Sequence, residues 1–134
     1  MRASVFFDTN VVVYAFVTTD PRCLRAREIL AGGGAISVQV LNEFTNVARR
    51  RLNLAWPDVH RALQAIRSVC APVLPLTMAM HEAAVELAAR DGLSIYDAMI
   101  VSAAVAAGCN VLYSEDMQDG RVFPTGLTIR NPFS

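Results

Sequence analysis

Short runs of β-branched and aromatic residues alternate along this chain with longer stretches of 3.6-residue apolar period. A chain built that way buries its strands in a mostly parallel sheet covered by helices, an α/β sandwich. The first run, Ser4-Val5-Phe6-Phe7, stops at Asp8-Thr9-Asn10. Ligands of open parallel sheets sit beyond the carboxyl ends of the strands, so Asp8 stands where such sheets do chemistry. It is equally placed to cap a short helix expected over Val11 to Val17. The next helix, Arg22 to Leu30, should face Leu24 and Ile29-Leu30 inward. Gly32-Gly33-Gly34 lacks the spacing of a phosphate loop and follows a helix, so it is a stop and a turn. Ala35-Ile36-Ser37 reads as strand two.

The following helix, Val38 to about Leu52, carries the stripe Val40, Leu41, Phe44, Val47 and Ala48. Glu43 falls at the edge of that stripe, either solvated at the rim or held by something in the interior. Pro57 suits a first helical turn, and Val59, Leu63, Ile66 and Cys70 give the inner face of the helix it starts. Val73-Leu74, between two prolines, allows only a short edge strand. Thr77 caps a helix that runs to Asp91 and stops at Gly92. Ser94 to Asp97 then opens the most apolar helix, through Ala107, which should be central and buried. Asp97 has the spacing of a capping box, and the first turn of a helix also faces anions or a metal-bound substrate. Asn110 to Ser114 is a strand running into Glu115-Asp116. Leu127 to Arg130 is the last one.

At 134 residues one domain, 1–134, is expected, with 54% hydrophobic residues leaving apolar surface for a partner. Twelve acids balance twelve bases, and every base is arginine. Any mechanism that needs a lysine is excluded, which removes receiver domains. Haloacid-dehalogenase-like phosphatases also need a lysine, and a second aspartate where Asn10 stands. Cys23, Cys70 and Cys109 form no C-x-x-C pair, and His60 and His81 are isolated. The cysteines suit the core of a cytoplasmic protein, and the histidines suit a surface. No signal peptide is read, as Met1-Arg2 leads directly to the first strand. The longest uncharged stretch, Ala98 to Ser114, is broken at Gly108 and too short for a membrane span.

Asp8, Glu43, Asp97 and Asp116 thus fall at strand ends or on sheet-packed helices. If strands one and four are neighbours, these positions share one cleft. Crowded carboxylates must take up a proton or a cation, and an oxygen-only site suits Mg²⁺ or Mn²⁺ and phosphodiester hydrolysis. Arg49-Arg50-Arg51 ends the Glu43 helix, where cations suit the helix dipole or would grip a substrate phosphate.

The segments Val5-Phe6-Phe7-Asp8-Thr9-Asn10, Asn42-Glu43-Phe44, Ile95-Tyr96-Asp97-Ala98 and Ser114-Glu115-Asp116-Met117 together resemble the four acidic motifs of PIN-domain ribonucleases. The set is most similar to the VapC-type toxins of bacterial toxin–antitoxin pairs. The resemblance implies a three-layer sandwich around a five-stranded sheet of order 3-2-1-4-5. It implies that Asp8 and Asp97 hold Mg²⁺ most directly, with Glu43 and Asp116 acting through water or a second metal. Thr9, Asn10 and Ser114 would be secondary members, although the family more often has threonine at the last place. Asp119 is an open alternative to Asp116. An RNA substrate, a cognate antitoxin and a homodimer are also implied. The competing expectation is a PIN fold that binds RNA or protein without cutting.

Overall fold

The computed structural model describes residues 4–134, so Met1 and Arg2, and with them the expected run into the first strand, lie outside the described residues. Five strands, β1 (Val5–Phe7), β2 (Gly34–Ser37), β3 (Cys70–Leu74), β4 (Val111–Tyr113) and β5 (Thr128–Arg130), form one sheet. Their order is β3-β2-β1-β4-β5 and every neighbouring pair is parallel. Six helices flank it: α1 (Thr9–Tyr14), α2 (Cys23–Ala31), α3 (Val38–Arg50), α4 (Trp56–Val69), α5 (Met78–Asp91) and α6 (Ile95–Ala106). The result is the expected three-layer α/β sandwich.

β1 lies at the centre because its residues have no polar face. Phe6 and Phe7 are fully buried, as are Ile36 on β2 and Leu112 on β4. β1 and β4 pair in register from Val5–Val111 to Phe7–Tyr113, and the Asp8 amide extends the ladder to the Tyr113 carbonyl at 2.9 Å. The carboxyl ends of these two strands are therefore side by side, the adjacency on which the cleft depends.

The caps at Ser37, Thr77, Gly92 and Ser94 all form. Gly92 takes the left-handed conformation, φ 69°, that ends α5. Four expectations need correction. α1 begins at Thr9 because Asp8 itself is the cap, and it ends at Tyr14. Leu24 points outward, 78% exposed, because α2 sets its stripe with Cys23, Ala26 and Leu30. Cys70 belongs to the edge strand, where it pairs with Gly34, though it is buried as expected. α6 is not enclosed all round: Tyr96 and Val105 are exposed, while Ile100, Val101, Ala103 and Ala104 face the core.

All three cysteines are free and buried, and both histidines are exposed. Among the described residues no helix is long and apolar enough to cross a membrane.

Candidate functional site

Asp8 leaves β1 with its carboxylate turned back over the first turn of α1. One oxygen accepts from the Thr9 amide and the other from the Ser114 hydroxyl, both at 2.7 Å. The residue is 5% exposed. Burial pushes its pKa up to about 6, and the charges of Asp97 and Glu43 push the same way. The bonds from Ser114 and Thr9 hold it back. A carboxylate so placed is short of solvation and keeps its charge at a cost.

Glu43 arrives from the other side of β1. Ser37, at the end of β2, accepts from the Val40 amide and starts α3. Glu43 then lies over the same strand ends, partly buried. It is held as one reading of its stripe position required: the Thr9 hydroxyl donates to one oxygen, and the Gln39 amide donates to the other at 3.2 Å.

Asp97 sits in the first turn of α6. Its backbone amide donates to the Ser94 hydroxyl at 3.1 Å, so the segment does the capping while the carboxylate faces the cleft. Its pKa is raised, first by burial and then by Asp116 and Glu43.

Asp116 follows β4. The Asn10 amide donates to it at 3.0 Å and reaches Asp8 at 3.3 Å, while the Asn10 oxygen accepts from the Glu115 backbone at 3.2 Å. Asn10 thereby ties the two strand ends together.

These four acids, with Thr9 and Asn10, line one cleft of about 400 Å³. Ser114, fully buried, supports it from below. Asp119 does not line it, and its carboxylate accepts from the Asn131 amide at 2.8 Å. Of the three consecutive arginines only Arg51 reaches the cleft wall. Among the described residues no three His, Cys, Asp or Glu side chains are drawn together as a ready metal cage.

Sequence reasoning missed five neighbours. Val13, Tyr14, Asn46 and Val47 line the cleft. Arg22 grips Glu115 through both carboxylate oxygens at 3.0 Å and Asp20 at 2.8 and 2.9 Å, with its guanidinium 4.0 Å from the centre of the Tyr14 ring. The Tyr14 hydroxyl completes the knot by donating to Glu115. Nothing local in the sequence marks Arg22 as a partner of Glu115.

The PIN domain profile matches residues 5–119, which span all four acids. The chain belongs to the PIN-domain family. No curated protein sequence matches this PIN-domain chain. Solved structures do: a chain of a toxin–antitoxin complex from Klebsiella pneumoniae is 21% identical, with 97% of this chain and 98% of that one covered and a TM-score of 0.73. VapC20 of Mycobacterium tuberculosis, described as a sarcin-ricin loop cleaving toxin, is 24% identical over 84% of this chain and 90% of its own, TM-score 0.65. A chain of DNA-bound VapBC from Salmonella typhimurium is 20% identical over 97% and 98%, TM-score 0.66. At these identities the likeness is one of fold.

Proposed function

We propose that this PIN-domain chain is a Mg²⁺- or Mn²⁺-dependent endoribonuclease and the toxin of a toxin–antitoxin pair. One observation carries the reading: acids from four remote segments line a single cleft, and the most buried of them, Asp8, has its pKa pushed up to about 6. A pocket of that kind is short of positive charge.

The donor set fits a hard divalent cation, being all oxygen with no histidine or cysteine. Asp8 and Asp97 would hold it most directly, with Glu43 and Asp116 completing the set through water or a second ion. Such an ion supplies charge neutralisation at the phosphodiester and activates water for hydrolysis. The chain's own residues prepare the place. Ser114 and the Thr9 amide fix the Asp8 carboxylate, the Thr9 hydroxyl orients Glu43, and Asn10 keeps Asp116 beside Asp8. Asp8 and Glu43 are held on both oxygens, whereas Asp97 is partly exposed and Asp116 exposed. The latter two have the more room to turn toward a cation. Arg51, at the cleft wall, is placed to donate to a phosphate oxygen.

RNA as substrate draws support from the description of the Mycobacterium toxin as cleaving the sarcin-ricin loop. An antitoxin partner draws support from the Klebsiella and Salmonella assemblies. The homodimer and the cytoplasmic location extend the same analogy.

The test is incubation of the purified chain with total RNA and Mg²⁺ or Mn²⁺, beside Asp97→Asn. Wild type should cut RNA, chelation should stop it, and the variant should lose at least about a hundredfold in rate. The same variant should lose the metal-induced rise in melting temperature. A second reading is favoured by one observation, that no three acids already converge among the described residues. It is a PIN-fold module that binds RNA or protein without cutting, and RNA held intact in Mn²⁺ would select it.

A further inference from the structure

The end of α3 carries a second groove, about 360 Å³, next to the acidic cleft. Asn42, Asn46, Arg49, Arg50 and Trp56 line it, and Asn46 lines the cleft as well, so one wall is shared. Two features of its lining point to the same ligand. The first is Trp56, 52% exposed at the start of α4, with the Arg49 guanidinium 4.6 Å from its ring centre. Arg49 is itself anchored by a bond to the Leu54 carbonyl at 2.9 Å, so the guanidinium is fixed against the indole. The second is charge. Among the described residues Arg49, Arg50 and Arg51, like the scattered Arg27, Arg67 and Arg130, form no ion pair. Only these three are consecutive, and Arg49 and Arg50 line the groove while Arg51 lines the cleft. Three unpaired cations therefore sit between an open indole and an acidic cleft.

We infer that this groove is a single-stranded RNA subsite, in which a base stacks on Trp56 while Arg50 and Arg51 hold the phosphates leading into the cleft. The inference rests on the ribonuclease reading and adds the path by which a strand reaches the acids. An exposed indole backed by a guanidinium offers a flat polarisable face that accepts any base, and the adjacent amides and arginines suit sugar and phosphate. A single strand fits this geometry better than a duplex, whose bases are already stacked on one another.

Trp56 is the chain's one tryptophan, so its emission reports on this groove alone. The probe is oligoadenylate of about ten nucleotides, labelled at the far end and titrated in EDTA into wild type, Trp56→Ala and Trp56→Phe. Binding is read by anisotropy in all three and by indole quenching in wild type. Saturable quenching that tracks the anisotropy is expected. Trp56→Ala should weaken binding about ten- to a hundredfold, and Trp56→Phe should recover most of the loss. Binding without quenching, or no binding at all, overturns the subsite. Unchanged indole emission is also the outcome if the groove takes a protein instead. The two readings fail separately: RNA cleavage in Mn²⁺ with no quenching removes the subsite and leaves the nuclease standing. Quenching without cleavage does the reverse.

Discussion

Asp8 makes the apo protein less stable as pH rises, and Asp8→Asn should reveal by how much. In the unfolded chain its carboxyl titrates near its ordinary 3.8, and in the fold near 6. Below the lower value both states hold the proton and the residue is neutral toward stability. Between the two values the folded state binds more protons than the unfolded one, so stability falls as pH rises. Above the upper value the full penalty is present. Taking the interval at face value gives about 3 kcal/mol. For a chain of this length that corresponds to about 10 °C in Tm. Other carboxylates titrate over the same range, so the informative quantity is the difference between variant and wild type. In EDTA, Asp8→Asn should gain on wild type by about that amount between pH 4 and pH 7.5. The asparagine keeps an oxygen for the Thr9 amide, and the Ser114 hydroxyl reverses its role to accept, at the loss of the 3.3 Å bond from the Asn10 amide. Thermal unfolding across pH measures the difference directly. Saturating Mg²⁺ should raise wild type and leave the variant nearly unmoved. Parallel pH profiles for the two proteins in EDTA would refute the reasoning, because they would mean the buried carboxyl is solvated well enough to ionise freely.

Two further perturbations probe the frame around the cleft. A Cβ added at Gly34 would lie 2.6 Å from Cε2 of Phe7 and 3.0 Å from the Val5 carbonyl oxygen. Gly34→Ala should therefore cost about 1–3 kcal/mol in urea denaturation, and a cost near zero would mean the Phe7 ring yields freely. Arg22 hydrogen bonds hold the Asp20 pKa down to about 2, so Asp20 contributes stability above its ordinary 3.8 that is lost as pH falls through that range. In Arg22→Ala, carboxyl NMR should show the Asp20 pKa rise toward its ordinary 3.8 but stop short of it, because the backbone amide of residue 22 still donates to Asp20. Amide exchange over 115–117 should quicken once Glu115 loses its ion pair. An Asp20 pKa unmoved from about 2 would remove the Arg22 guanidinium as its cause.

The acids were legible because each marks a local break that the sequence displays: a strand meeting a turn at Asp8 and Asp116, a helix opening at Asp97, a charge on the rim of an apolar stripe at Glu43. Their company was not legible, because it depends on β1 lying between β2 and β4, and strand order is a tertiary fact. The same limit explains why Asp116 and Asp119 were inseparable. Both belong to one turn after β4, and only their partners distinguish them: Asn10 for Asp116, Asn131 for Asp119. Leu24 failed for a different reason. In a nine-residue helix two apolar faces are nearly equal by count, and the small residues Cys23 and Ala26 won the interior because they let α2 approach closely.

Asn10 shows how a site can be assembled without being closed. It bonds Asp8, Asp116 and the Glu115 backbone, and so couples the ends of the two central strands through one amide. Behind it, Arg22 and Tyr14 pin Glu115 from the outer side. The segment bearing Asp116 is thus held at its backbone while its carboxylate stays exposed. Asp8 is the opposite case, with backbone and carboxylate both fixed and solvent excluded. A site with two held acids, Asp8 and Glu43, and two freer ones still carries repulsion when empty, since neighbouring carboxylates raise the pKa of both Asp8 and Asp97. It closes only when a cation offsets the cost of bringing the freer acids in. That division of labour accounts for four acids around one cleft among which no three yet meet.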